Sequence, residues 1–317
     1  MQHNTFFNRD NPLVSWLLFL LLAFLWSGSY LSIKITVTEF PPIFAALVRV
    51  FISCLCLTLI FTALGKRITL PLKDARMVWC TGLVSQAIPF SLLFYAERYV
   101  TPSVAGIINS TVSFWSLLLG ALIFRDLGQL TPAKVAGVSL GVIGMYIIFS
   151  PTIGSSSTPI GLLLLTGMAL GYSMGALLTQ HVLFKNARIT FEANLVQQHM
   201  MSIVCMTLAT LLLEPAPEWH KLFSAQIGFA FLYLGVFSTA IAWIIYFYLI
   251  KRWGAVLTGT VMYIVPILAI IWDVLFLHIM PTANQLLGTG TILLGVLLIQ
   301  TRRRRVNLKL VTEKAVN

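Results

Sequence analysis

The amino-acid sequence predicts an all-α membrane protein with ten transmembrane helices in two inverted five-helix repeats. Three observations lead there. Apolar runs of helix-spanning length recur along the chain, the basic residues fall almost wholly to one side of those runs, and an uncharged Pro/Gly/Ser segment divides them five and five. Of 317 residues, 58% are hydrophobic and only 10% charged, which leaves too little polar surface for a soluble domain of this length. Hydrocarbon offers no partner to a backbone donor or acceptor, and the runs lack the apolar–polar alternation of barrel strands. Each is therefore read as a helix.

The first run, about 13–37, follows a short tail over 1–12. It is longer than a signal-peptide core and has no small-residue cleavage site, so it is expected to remain as a helix. Runs at about 42–64, 75–97, 101–124 and 131–150 complete a first repeat over 13–150. A linker at 151–158 lies within "SPTIGSSSTP", Ser150 to Pro159. The second repeat, 159–300, holds runs at about 158–180, 191–213, 226–250, 255–278 and 282–300, and a basic tail closes the chain at 301–317. Roughly 20 residues at 1.5 Å per residue cross the hydrocarbon. Five is odd, so the halves enter from opposite faces and any repeat is inverted. A slide of 153 residues lays Tyr95 on Tyr248, Gly106 on Gly259 and Gly137 on Gly290.

Charge sets the orientation. With both termini cytoplasmic, 17 of the 21 basic residues lie inside, including Lys66, Arg67, Lys73, Arg188, Lys251, Arg252 and the run Arg302 to Arg305. Only Arg98 and Lys221 lie outside, a strong positive-inside asymmetry that also supports an even number of spans. The net charge of +11 is thereby explained by topology, and no nucleic-acid partner is expected. The four cysteines, Cys54, Cys56, Cys80 and Cys205, fall inside runs without metal-ligand spacing and act as small apolar residues. Pro89 and Pro266 interrupt the third and ninth runs, allowing a kink or a hinge. The glycines of "GVSLGVIG", Gly137 to Gly144, suit close helix packing, with a homodimer as the sharper use.

Lys34 and Arg49 are the two basic residues left in the membrane, and Asp273 stands in "VPILAIIWDVLFLH". An ionised carboxylate in lipid costs about 2.5–3.5 kcal/mol on insertion scales, so Asp273 is expected to face protein or water. Two readings stay open: a structural ion pair with Arg49 or Lys34 at comparable depth, or a site for a proton or a cationic group. Arg49 could equally anchor a carboxylate, and Lys34 could snorkel to the interface. Trp26, Tyr30, Gln86, Asn109, Tyr263 and His199 sit near mid-membrane, where such groups line a cavity or bond neighbouring helices. His199 belongs to "NLVQQH", the most polar stretch of any run, and could relay protons. Trp243, Tyr246 and Trp272 add aromatic faces, suited to packing or, beside an acid, to an ammonium.

The stretches "FLWSGSYLSIK" (Phe24 to Lys34), "PPIFAALVR" (Pro41 to Arg49), "LYLGVFSTAIAWIIYFYLIKRWGA" (Leu232 to Ala255) and "VPILAIIWDVLFL" (Val265 to Leu277) resemble the EamA-like transporters of the drug/metabolite transporter superfamily. The resemblance covers both halves. It implies two inverted five-helix repeats around a central cavity exposed alternately to each side, and transport of amino acids or related small metabolites, often outward. The expectation is a secondary transporter in the plasma membrane, a bacterial inner membrane, driven by protons or exchange. Its binding candidates are Trp26, Tyr30, Gln86, Asn109, Tyr263 and Asp273, and its proton or charge-pair candidates Asp273, Arg49, Lys34 and His199. Its partners are a small-molecule substrate, membrane lipid and protons. No cofactor, metal or catalytic set is expected: the chain has no phosphate-cradling loop ending in Lys-Ser/Thr, no HExxH and no GxSxG. An intramembrane enzyme or a non-transporting scaffold are the rival classes; a scaffold needs no water-filled cavity.

Overall fold

A computed structural model of the chain describes residues 12–100, 105, 108–123, 130–150, 158–265, 267–268, 280, 282–284 and 286–298. Among these every regular element is helical. Six stretches are long and apolar enough to cross a membrane: Pro12–Glu39, Pro42–Ala63, Leu72–Ala96, Pro159–Phe184, Phe191–Leu213 and Ala225–Trp253. Four shorter apolar helices, Ile108–Ile123, Pro132–Ile148, Ala255–Val265 and Leu286–Leu298, fall in the remaining runs. Pro266 and the Asp273 segment lie outside the described residues.

The elements are α1 (Pro12–Ser27), α2 (Ser29–Glu39), α3 (Pro42–Ala63), α4 (Leu72–Gly82) and α5 (Ile88–Ala96). Then come α6 (Ile108–Ile123), α7 (Pro132–Phe149), α8 (Pro159–Lys185) and α9 (Phe191–Leu213). The last are α10 (Ala225–Leu232), α11 (Ala242–Trp253), α12 (Ala255–Val265) and α13 (Leu286–Leu298). Leucines 211–213 and Phe229 are exposed, as side chains bathed in hydrocarbon should be.

Two spanning stretches are not plain α-helix. Between α4 and α5 the chain widens into a π-helical turn at Leu83–Ala87, just ahead of Pro89. Proline lacks an N–H and its ring collides with the carbonyl four residues back, here Ser85, so an over-wide turn lets the stretch continue without a break. Between α10 and α11 a second π-helical segment, Tyr233–Ile241, contains no proline. Here Thr239 donates to the Leu234 carbonyl five residues back at 2.6 Å. Gly254, at φ +84°, ends α11 in a conformation that favours glycine, and the Gln180 side chain accepts the Ala255 N–H at 2.9 Å.

A polar seam joins elements from the two halves. Gln198 on α9 accepts from Ser85 at 2.8 Å and donates to Thr179 and Asn194, both at 3.2 Å. Gln197 accepts the Trp79 indole N–H at 2.9 Å and donates to the Ile68 carbonyl. The backbones touch beneath this network, since a Cβ on Gly82 would lie 2.6 Å from the Gln198 carbonyl oxygen. The glycine pattern of α7 is also occupied within the chain. A Cβ on Gly144 would meet the Gly288 carbonyl oxygen at 2.7 Å, and one on Gly141 would meet the Tyr263 ring at 2.5 Å. That face packs α7 against α13 and α12, so a homodimer would have to use another.

Candidate functional site

Between these elements lies a cavity of about 730 Å³ of empty space, its open mouth included. Its walls come from both halves: Trp26 and Ser29 of the first stretch, Arg49 of α3, Ser85, Phe90 and Leu93 of the third, and Asn109 and Val112 of α6. From the second half come Tyr172, Ala176 and Thr179 of α8, Trp243, Tyr246 and Phe247 of α11, and Gly259, Val261 and Met262 of α12.

The walls are chiefly aromatic faces in mutual contact. Trp26 meets Tyr246 with ring centres 5.3 Å apart, and Trp243 meets Tyr246 at 5.4 Å and Phe247 at 5.1 Å. Phe90 stands edge-on to Tyr172 and Trp243 at 5.8 and 6.1 Å. The second π-helical segment fixes the polar side of the site. Its Ser238 carbonyl accepts the Trp26 indole N–H at 3.0 Å, and its Thr239 hydroxyl accepts from Arg49 Nε at 2.6 Å. Arg49 Nη2 reaches Ser238 at 3.4–3.5 Å, and the guanidinium carbon lies 4.5 Å from the centre of the Phe90 ring. A nearly buried cation is thus held flat by hydrogen bonds on one side and a π-face on the other. Among the described lining residues Arg49 bears the only full charge. The Trp243 indole N–H is buried at the wall and meets no acceptor among the described residues.

The expected site residues divide. Trp26, Asn109 and Arg49 line the cavity, Asn109 donating to Met262 Sδ at 3.2 Å. Gln86 is wholly buried beside the lining Ser85, with neither amide atom hydrogen-bonded among the described residues. Tyr263 does not line the cavity: it is buried against Met145, Ile148 and Ile292, its hydroxyl 3.4 Å from the Val138 carbonyl. His199 is buried behind the Trp243 ring. Its Nδ1 lies 2.9 Å from the Leu195 carbonyl, which can only accept, so Nδ1 carries the proton and Nε2 accepts from Ser53 at 3.1 Å. Lys34 is exposed and donates to the Glu97 carbonyl at 3.2 Å, away from the cavity. Tyr30 belongs to α2, and Asp273 falls outside the described residues.

Sequence reasoning missed Ser238 and Thr239, and it assigned Trp243 and Tyr246 first to packing. The available signal was the small polar pair in "VFSTAI", which a spanning helix retains only when something accepts its hydroxyls. It also missed Glu97 and Glu214. Glu97 is fully buried at the end of α5, and Glu214, just past α9, accepts the Ile43 and Phe44 N–H groups at 2.7 and 2.8 Å.

Spanning apolar helices closed around an aromatic cavity define a polytopic membrane protein with a small-molecule site. The chain belongs to the EamA-like transporter family, whose model matches residues 14–150 and 159–301. It is 26% identical over 296 residues to the "Uncharacterized transporter YvbV" of Bacillus subtilis, covering 90% of this chain and 92% of that one. It is 22% identical over 282 residues to the "Probable amino-acid metabolite efflux pump" of Escherichia coli, covering 87% and 91%. A solved crystal structure superposes with a TM-score of 0.75 over 93% of this chain and 99% of that one, at 20% identity, which shows the shared fold. This is a multi-pass membrane protein of a transporter family that takes small molecules.

Proposed function

We propose that the protein is a secondary active transporter that exports amino acids or amine-bearing small metabolites across the bacterial inner membrane by alternating access, driven by protons or exchange. The observation that carries this reading is the aromatic cavity with Arg49 at its wall. A guanidinium held by Thr239 and Phe90 suits a carboxylate, and the rings of Trp26, Trp243 and Tyr246 suit an ammonium or an apolar side chain. The efflux-pump names among the relatives support export of amino-acid metabolites.

The same reading takes the chain as ten transmembrane helices in two inverted repeats, 13–150 and 159–300, with both termini cytoplasmic. The π-helical turns support the repeat: a slide of 153 residues lays Leu83–Ala87 within Tyr233–Ile241. Asp273 is retained as a candidate for the amine of a solute or for a proton.

The test is counterflow of labelled amino acids and amines in proteoliposomes, with and without a pH gradient, for the native chain, Arg49→Ala, Arg49→Lys and Asp273→Asn. Loss of a charged hydrogen-bonding partner should slow amino-acid transport by about tenfold to a hundredfold in Arg49→Ala. Arg49→Lys should recover part of that rate, and amines without a carboxylate should be less affected. Native protein that moves no member of the panel above empty liposomes would sink the reading.

A further inference from the structure

Glu97 directly follows the spanning stretch Leu72–Ala96 and is fully buried. Neither carboxyl oxygen has a hydrogen-bond donor among the described residues. Its main chain is fully engaged: the N–H donates to the Leu93 carbonyl at 3.1 Å and the carbonyl accepts from Lys34 Nζ at 3.2 Å. Lys34 is therefore docked on the backbone of Glu97 and acts on its carboxyl through the field alone.

Other charged or titratable groups adjoin Glu97 or face α5. Tyr95 and Tyr99 flank Glu97 in the chain with their rings 6.2 Å apart, and Arg98 lies over the Tyr95 ring at 5.8 Å with its charge acting on Glu214 beyond α9. Arg49 on α3 lies over Phe90 and Phe94, and Tyr172 on α8 lies across Phe90, towards the other end of α5. An ionised carboxylate at Glu97 would have lost its water without gaining a donor, whereas a neutral carboxyl incurs a far smaller penalty. Any rearrangement that lets water reach Glu97 reverses that preference. By linkage, protons favour the form that buries the carboxyl, and their removal favours the form that hydrates it.

We propose that Glu97 is a proton-binding site that takes up a proton when this end of the bundle closes over it and releases it when the end opens, joining the transport cycle to the proton gradient. The second half of this statement rests on the transporter reading above; the first does not. The test is a pH-titrated infrared difference spectrum of the full chain in liposomes, for native protein, Glu97→Gln and Lys34→Met, alongside the counterflow assay. Native protein should show a protonated-carboxyl band that fades as pH rises, and Glu97→Gln should lack it. Lys34→Met should keep the band and shift its midpoint to higher pH, because a cation that favoured ionisation is gone. Stimulation of counterflow by a pH gradient should be lost in Glu97→Gln.

Absence of a band that depends on Glu97, or an unmoved midpoint in Lys34→Met, would overturn the proton site while leaving transport intact. Undiminished gradient stimulation in Glu97→Gln would overturn its coupling role. A titrating band with no transport of any panel solute would uphold the proton site and count against the transporter reading. Should Glu97→Gln fail to fold, the Lys34→Met midpoint alone still decides the site.

Discussion

Glu214 accepts two N–H groups at the start of α3, the place where a helix has donors without intrahelical acceptors and a positive dipole end. It comes from the other half of the chain, so one side chain both caps α3 and ties the halves. Glu214→Ala should cost about 1–2 kcal/mol, read as a lower melting temperature in detergent micelles. Burial pushes the Glu214 carboxyl above the usual carboxylate range, against the pull of the two N–H groups and of Arg98. The folded chain therefore holds this proton where the unfolded chain has already released it. Stability then falls as pH rises through the carboxyl's folded-state pKa. Glu214→Gln cannot titrate and should show a flatter pH profile; equal slopes for the two proteins would refute the assignment. At Arg49, by contrast, the sequence could show a cation in an apolar run but not its partners Thr239 and Phe90, which are 190 and 41 positions away.

Among the elements, helices were legible wherever apolar runs exceeded a span, because backbone satisfaction in hydrocarbon leaves little choice. The π-helical segments were not. Pro89 marked one irregularity, but the Tyr233–Ile241 segment has no comparable breaker in its sequence; its Ser238 and Thr239 meet Trp26 and Arg49 across the bundle. The glycines of α7 were visible as a packing motif without a partner, and the partner is α13. Gly144→Leu should destabilise the protein by about 1–3 kcal/mol, since its side chain would enter the Gly288 backbone. Gly290→Ala on the same α13 meets nothing within 4 Å and should be neutral or slightly stabilising. Thermal melts of the pair would check this, and equal losses would show that α7 and α13 do not pack this way.

At the scale of the molecule, the expected inside segments meet one another and so do the expected outside ones. Lys66 lies 3.8 Å from Glu192, and Asn186 donates to Asp74 at 3.0 Å. At the opposite end Lys221 pairs with Glu39 at 3.2 Å. These contacts group the segments by end of the bundle; which end faces the cytoplasm is a separate proposal drawn from the basic residues. Single cysteines placed at Arg67 or Arg188 in a cysteine-free background should react with an impermeant maleimide only from the cytoplasmic side, and one placed at Lys221 only from outside. The reverse labelling would invert the topology.

The sequence by itself determined the membrane class and the helical character, since each follows from hydrophobicity summed over long windows. It also nominated Arg49, Trp26 and Asn109, whose polarity is conspicuous in apolar runs. Only the tertiary structure decided that these three share one cavity with Trp243, Tyr246 and Tyr172, while Tyr263 and His199 are packed away from it. An aromatic side chain in a spanning helix has the same local signature whether it faces lipid, a neighbouring helix or a cavity. The rotation and crossing of helices far apart in the chain choose among the three.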